Sequence, residues 1–325
     1  MMERLKSLRR VSEVLTIFLI VGSCSGKTVP AVFIFGDSLV DAGNNFYIKT
    51  LATPVSPNGI DFGTLGSSGR YTNDRTIPDI IGKFYFIFST SGDRITFDMQ
   101  ISCFENTRQE IISRIGEHAA KSLLTRSLYF LAIGSNDVTF FKRNTKGKNL
   151  SSDAYTDIVI SRFRSQLTRL YHLDARKIVV ANVGAAGCMP FIRGMYPPGN
   201  ECLASVNSDA KLYNSKLKAL LAELTLSNTK SKYVLADAYA ILEDIIKNYE
   251  SYGFERMDYA CCHIAGIHGG LFPCANGAKV CADRSKYVFW DAFHPSYAAN
   301  MIAAKYLMDG GSKYISPVNI RQLLN

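Results

Sequence analysis

Three common motifs are missing from this sequence. It has no Gly-x-Ser-x-Gly segment, which excludes the strand-turn-helix elbow that presents the nucleophilic serine of α/β-hydrolases. It has no Gly-x-Gly-x-x-Gly segment, so it offers no fingerprint for binding a nucleotide phosphate. It also lacks paired Cys-x-x-Cys units, which are typical of structural zinc sites. Any chemistry of this chain must therefore rest on a different arrangement of residues.

Long apolar runs are scarce as well. The run Val14–Val21 is too short to cross a bilayer. Basic residues precede it: Arg4, Lys6, Arg9 and Arg10. This pattern predicts a secretory signal over residues 1–25, with cleavage near Gly26. We expect residues 26–325 to form a single secreted, extracellular domain without a stable membrane anchor.

The composition narrows the class of partner. The hydrophobic fraction of 47% is ordinary for a globular protein. The net charge of +9 is not concentrated in a basic stripe with interleaved aromatic residues, so we expect no nucleic-acid binding. The excess charge is best interpreted as a solvated surface, although it could also favour cell-wall polyanions or anionic interfaces.

Six of the eight cysteines cluster late in the chain. Cys24 leaves with the predicted signal, Cys103 is expected to be a buried free thiol, and six lie close together: Cys188, Cys202, Cys261, Cys262, Cys274 and Cys281. In a secreted chain such a cluster indicates disulfides, although six cysteines allow 15 pairings. We predict that Cys188 pairs with Cys202 and that the other four pair among themselves. A zinc site using His263 and His268 is the alternative.

Segments of strand and helix pattern alternate along the chain. Predicted strands are 32–35, 128–133, 177–183 and 233–236, and predicted helices are 106–124, 155–172, 202–226, 238–249 and 296–307. This alternation predicts an α/β fold in which helices cover both faces of a parallel sheet. The segment Asn149-Leu150-Ser151 is a glycosylation sequon in a polar loop.

The segment Gly36-Asp37-Ser38-Leu39 directly follows the first predicted strand. In an open α/β sheet, ligands bind at the carboxyl ends of the strands, where Ser38 would lie. A serine nucleophile needs a base, and the base needs a carboxylate to orient it. His294 and Asp291, three residues apart in one loop, could supply both. The alternative is that Ser38 only caps a turn.

These motifs together resemble the plant GDSL esterase/lipases, which are SGNH hydrolases. The resemblance covers almost the whole chain from Val32 onward, and it rests on these segments: Gly36–Leu39, Gly69–Asn73, Thr76–Asp79, Gly134–Asp137, Asp291-x-x-His294 and Lys286–Pro295. It implies a flavodoxin-like three-layer α/β/α sandwich and hydrolysis of acyl or lipid esters.

The resemblance also assigns roles to residues at the predicted site. Ser38 would be the nucleophile, His294 the base and Asp291 the residue that orients it. The backbone N–H of Ser38 and the side chain of Asn136 would form the oxyanion hole, since Asn136 follows the strand 128–133 and reaches the same sheet edge. A simple Asn-Asp turn is the alternative for Asn136. No metal or organic cofactor is implied.

One block of the family pattern is missing. Family members carry a glycine-rich segment on and after the second strand, and this chain instead continues from Gly82 to Gly92 with mainly aromatic and polar residues. The second strand would be truncated. Gly92 could follow a strand over 84–88 and replace the missing oxyanion donor, but its surroundings match the family block poorly, so we do not assign it that role. The sequence therefore predicts a secreted serine ester hydrolase. The alternatives are a weakened or inactive member of this fold that binds an acyl or carbohydrate ligand, and a flavin-binding protein.

Overall fold

A computed structural model describes residues 29–50, 53–63, 68–82, 95–140, 150–196 and 201–325. The strands are β1 (Val32–Gly36), β2 (Leu128–Ala132), β3 (Lys177–Ala181), β4 (Lys232–Ala236), β5 (Arg256–Ala260), β6 (Cys262–His263), β7 (Lys279–Val280), β8 (Tyr287–Phe289) and β9 (Ile315–Ser316). The helices are α1 (Ile77–Ile81), α2 (Phe97–Ile115), α3 (Glu117–Arg126), α4 (Ser135–Thr139), α5 (Ser152–His172), α6 (Pro190–Met195), α7 (Ala204–Ser227), α8 (Ala238–Lys247), α9 (Tyr297–Asp309) and α10 (Ile320–Leu324).

The central sheet has the strand order β1-β2-β3-β4-β9. Its first four strands run parallel, and β9 runs antiparallel to β4. The predicted α/β class with a mainly parallel sheet is confirmed. The short antiparallel strand was not predicted, because two residues in an otherwise irregular segment carry no periodic pattern.

Helices cover both faces of this sheet. Successive side chains of a strand point to opposite faces. On one face, Phe33 and Phe35 pack in a buried cluster with residues of α2, α5 and α7. On the other face, Val32 and Phe130 pack in a second cluster with residues of α8, α9 and α10. The two clusters make the chain a three-layer α/β/α sandwich.

One predicted helix is divided in two. The apolar spacing predicted a continuous helix over 106–124, but Gly116 has a φ of +80° and separates α2 from α3. Residues other than glycine rarely adopt this conformation, so the helix ends there. Ile111 and Leu124 remain buried on the two sides of the break, which explains why the sequence periodicity continued across it.

Three disulfides stabilise the second half of the chain. Cys188 pairs with Cys202, Cys261 with Cys281, and Cys262 with Cys274. The predicted Cys188–Cys202 bond and the pairing of the other four cysteines among themselves are confirmed. Because all six sulfurs are in disulfides, they are not free thiolates that could bind zinc. Cys103 is free but only half-buried.

The register of the sheet brings four chain segments to one edge. Gly36, Ala132, Ala181 and Ala236 are neighbours across β1 to β4, each at the carboxyl end of its strand. The segments that follow these strands therefore emerge side by side. This edge is where open α/β sheets bind their ligands.

Candidate active site

Ser38 lies two residues beyond β1, on a turn fixed by close packing of the backbone. A Cβ atom on Gly36 would lie 2.3 Å from the carbonyl oxygen of Ala132, so only glycine fits there. The side chain of Gln100, from α2, accepts a hydrogen bond from Gly36 N–H at 2.9 Å and donates one to Gly36 O at 2.8 Å. The strand end that carries Ser38 is therefore held on two sides.

The hydroxyl of Ser38 meets the imidazole of His294. The distance from Ser38 Oγ to His294 Nε2 is 2.8 Å, and the distance from His294 Nδ1 to Asp291 Oδ1 is also 2.8 Å. His294 is 6% exposed and Asp291 is fully buried. Residues 38–40 form a turn and do not start a helix. The Ser38 hydroxyl therefore does not cap a helix, and its hydrogen-bond partner is the imidazole of His294. The structure thus brings together three predicted residues from the two ends of the chain.

Asp291 is surrounded by N–H donors. Its Oδ1 accepts hydrogen bonds from the backbone N–H groups of Phe293 and His294, both at 2.9 Å, and its Oδ2 accepts one from Cys274 N–H at 3.1 Å. Burial alone would raise the pKa of Asp291, but His294 and these donors together hold that pKa below its usual value. The carboxylate therefore stays ionised at neutral pH beside the imidazole.

A segment from the first quarter of the chain supports the imidazole. The Tyr71 ring stacks on the His294 ring with 5.1 Å between centroids. The Thr72 hydroxyl donates to the carbonyl oxygen of Pro295 at 3.2 Å, and Asn73 Oδ1 accepts the N–H of the first residue of α9 at 2.8 Å. These residues belong to the family segment Gly69–Asn73, but nothing in their pattern predicted these contacts.

Asn136 lies near the same opening. Gly134, with a φ of +110°, turns the chain after β2, and a Cβ there would lie 2.7 Å from the Tyr213 hydroxyl oxygen. The turn starts α4, and the exposed Asn136 lines the same cavity as Ser38 and His294. This cavity has a volume of about 240 Å³. The role of Asn136 in an oxyanion hole stays a prediction.

Asp37, which the sequence analysis did not single out, is a second carboxyl group at the site. Its Oδ1 accepts the Leu39 N–H at 3.0 Å, which fixes the turn around Ser38. Its Oδ2 is buried and has no hydrogen-bond partner among the residues that the structure describes. Burial raises the pKa of Asp37 to about 6, although the Leu39 N–H and His294 act in the opposite direction. Nothing in the sequence pattern indicated that the side chain of Asp37 is buried.

Several predictions concern residues outside the described ranges. The segment 84–88 and Gly92, which were considered as a replacement strand and oxyanion donor, belong to residues 83–94, which are not described. The predicted signal over 1–25 and the glycosylated Asn149 also lie outside the described residues. Among the described helices, none combines the length and apolar character needed to cross a membrane.

Comparisons with known proteins give one consistent result. The family described as GDSL-like Lipase/Acylhydrolase matches residues 32–307. The Arabidopsis thaliana protein GDSL esterase/lipase At4g16230 is 45% identical over an alignment that covers 93% of this chain and 92% of the relative. GDSL esterase/lipase At2g23540, also from Arabidopsis thaliana, is 38% identical and covers 92% and 88%.

Among solved structures, a catalytic mutant of an acetylxylan esterase from Geobacillus stearothermophilus covers 85% of this chain and 90% of its own, with a TM-score of 0.39 and 15% identity. The family match spans most of the chain, and the Arabidopsis relatives align over nearly their full length. Membership of such a family supports an ester hydrolase function. This chain belongs to the GDSL-like lipase/acylhydrolase family.

Proposed function

We propose that this chain is a secreted serine hydrolase that cleaves acyl, lipid-type carboxylic esters through a covalent acyl-enzyme. The observation that carries the proposal is the pair of 2.8 Å contacts that link Ser38 to His294 and His294 to Asp291. A hydroxyl, an imidazole and an ionised carboxylate in this order are what nucleophilic ester hydrolysis requires. Family membership supports the same reaction type.

Acylation begins with the neutral imidazole. Asp291 holds the proton of His294 on Nδ1, so Nε2 carries the lone pair that faces the Ser38 hydroxyl. As Ser38 Oγ attacks the ester carbonyl, Nε2 accepts the hydroxyl proton and then passes it to the leaving alcohol. The buried Asp291 carboxylate stabilises the imidazolium formed between these steps.

The negative charge that develops on the carbonyl oxygen needs donors that are already in place. The Ser38 N–H and the Asn136 side-chain amide are the two donors we assign. Deacylation repeats the sequence with water, which His294 deprotonates for attack on the acyl-Ser38 ester. The acid leaves, and the proton returns to Ser38 Oγ. Apart from the ester and the water, every group in this scheme is an amino-acid side chain or a backbone N–H.

Secretion is part of the proposal. The three disulfides support it, because such bonds form and persist in oxidising compartments. We expect the mature chain to begin near Gly26, to continue as one domain to residue 325, and to carry a glycan on Asn149. Amino-terminal sequencing of the protein recovered from the medium and a mass shift after glycosidase treatment test these expectations. A full-length chain retained in the cell would contradict secretion.

The test of the catalytic proposal is hydrolysis of p-nitrophenyl butyrate. We expect turnover by the wild type and loss of turnover in Ser38→Ala. Ser165→Ala, on the exposed face of α5, is the matched control and should retain activity. If the folded wild type shows no turnover, the alternative of an inactive member that binds an acyl or carbohydrate ligand replaces the proposal. Equal turnover in wild type and Ser38→Ala would exclude Ser38 as the nucleophile.

A further inference from the structure

We propose that a straight, medium-length acyl chain binds inside the sandwich, in the cavity between the sheet and helices α8 and α9. This inference rests on the proposed function, because it assigns the acyl side of the same site. The cavity of about 240 Å³ opens beside Ser38 and His294. It continues past the mouth as far as Ile245 of α8 and Leu307 of α9, which are both buried core residues. The interior of the fold is therefore hollow next to the candidate nucleophile.

The hollow has an identifiable origin in the sequence. Ala132, Ala181 and Ala236 occupy neighbouring register positions on three parallel strands, and all three line the cavity. Buried positions of parallel strands usually carry Val, Ile or Leu. Three alanines side by side therefore remove the side-chain volume that would close the layer, since protein interiors are otherwise tightly packed.

The facing wall is also built from small residues. Ala299 and Ala303 lie one turn apart on the same face of α9, and both line the cavity. Leu307, one further turn along α9, lies at the far end. The cavity thus lies between the alanines of the sheet and the alanines of α9, and its lining extends along two turns of this helix. This shape fits an unbranched chain better than a branched or cyclic group.

The dimensions set the length of that chain. From Ala299 to Leu307 the rise along an α-helix is about 12 Å. Carbon–carbon bonds of about 1.5 Å at near-tetrahedral angles advance about 1.25 Å each along an extended chain. About eight to ten carbons therefore fill this length. The volume agrees, because an apolar cavity of about 150 Å³ already binds benzene.

The chemistry of the wall selects an apolar occupant. Ile241, Leu242 and Ile245 of α8 contribute branched aliphatic side chains to the lining, and Phe289 adds an aromatic ring. Ser38, Asn136 and His294 form a polar mouth at the candidate active site, and Asn182 and Asn300 are further polar residues of the lining. An ester bound with its carbonyl at this polar mouth would direct its acyl tail along the apolar interior. Each methylene buried in this way is worth about a fourfold preference.

The test is chain-length selectivity in the full-length mature protein. We expect kcat/KM to rise from p-nitrophenyl acetate to the octanoate or decanoate ester. Ala303→Leu, which fills part of the cavity, should lower kcat/KM for the decanoate ester at least tenfold more than it lowers kcat/KM for the acetate ester. Met301→Leu, at an exposed position of the same helix, is the matched control and should change neither value.

A second variant guards against misfolding of the first. Ala181→Val adds less volume than Ala303→Leu, and it does so on the sheet side of the cavity. The midpoint of its thermal unfolding shows whether the core tolerates the added side chain. The same loss of decanoate selectivity in either folded variant supports the inference. Unchanged selectivity in both folded variants would overturn it and place the acyl chain on the outer surface.

Binding separates this inference from the proposed function. Calorimetric titration of decanoic acid into Ser38→Ala measures the affinity of the cavity for an acyl chain without turnover. Binding that is lost on adding Ala303→Leu supports the cavity even if no ester is hydrolysed, in which case only the catalytic proposal fails. If esters are hydrolysed but decanoic acid does not bind and chain length has no effect, the catalytic proposal stands and the cavity inference fails.

Discussion

The two loops that meet at the site are held in place in different ways. The loop with Ser38 depends on the sheet, because Gly36 fits against Ala132 and is bound by Gln100. The loop with Asp291 and His294 depends on residues that are distant in sequence. Asn58, for example, accepts a hydrogen bond from the indole N–H of Trp290 and donates one to Cys274 O, across separations of 232 and 216 residues.

Because the two loops are supported differently, we expect mutations in them to have different effects on catalysis and on stability. The Ser38 loop is supported by buried parallel strands, so small changes in it should affect chemistry more than folding. The loop with the base has little regular structure of its own and depends on side-chain bonds, a disulfide and the Tyr71 ring. Changes in those supports should lower stability and disturb the base at the same time. The following predictions test that distinction.

The largest effect should come from Asp291→Asn. The amide cannot hold the His294 proton on Nδ1 in the same way, and the wrong tautomer of the base lowers kcat by about 10⁴-fold in an analogous triad. We expect a loss of that order for p-nitrophenyl butyrate. Asp309→Asn, an exposed carboxylate that pairs with Arg321, is the control and should retain kcat. A loss below tenfold in Asp291→Asn would contradict the assigned role.

The disulfides offer a direct comparison of the two kinds of support. Removing Cys262–Cys274 by two alanine substitutions should lower the free energy of unfolding by about 2–5 kcal/mol. It should also lower kcat, because Cys274 N–H holds Asp291 Oδ2. Removing Cys188–Cys202 should cost similar stability without a comparable change in kcat. Chemical denaturation and initial rates measure both quantities, and equal loss of kcat in the two variants would contradict the comparison.

Asp37 should give the Ser38 loop its own pH dependence. Burial raises the pKa of Asp37 to about 6 from an ordinary value near 3.8, so between these pH values the folded chain holds a proton that the unfolded chain has lost. This contribution to stability is present below pH 4, falls as the pH rises through 6, and totals about 3 kcal/mol.

Asp37→Asn removes this dependence, because the amide does not titrate. We expect a smaller decrease of stability between pH 4 and 6 in Asp37→Asn than in the wild type, measured by denaturation at several pH values. Asp98→Asn, an exposed carboxylate at the start of α2, should follow the wild type. Identical pH profiles for Asp37→Asn and the wild type would show that Asp37 ionises normally.

The smallest effect should come from Thr72→Val. This change keeps the shape of the side chain and removes the hydrogen bond to Pro295 O, which should cost about 1 kcal/mol of stability. A modest decrease of kcat should accompany it, because Pro295 directly follows the base. Thr125→Val, whose hydroxyl bonds only within an exposed turn of α3, should affect stability alone. A larger loss of kcat in Thr125→Val than in Thr72→Val would contradict the comparison.

Local patterns account for what the sequence predicted well. The buried runs that end before Ser38 and Asn136 are recognisable as strands, and the segment with Asp291 and His294 is compact enough to stand out. The residues that support that segment were not predictable, because Asn58 has no distinctive pattern and the family segment Gly69–Asn73 does not reveal what Thr72 and Asn73 contact. The alanine row was equally hidden, since a single alanine at a strand end is unremarkable and only the register across β2, β3 and β4 creates the hollow.

Covalent labelling with a fluorophosphonate tests the central claim most directly, because it reports on the nucleophile without a choice of substrate. The account predicts one label per chain, located on Ser38 by peptide mass mapping. The label should be absent in Ser38→Ala and should form much more slowly in Asp291→Asn. A folded wild-type chain that takes up no label, or a label that maps to another serine, would contradict the account.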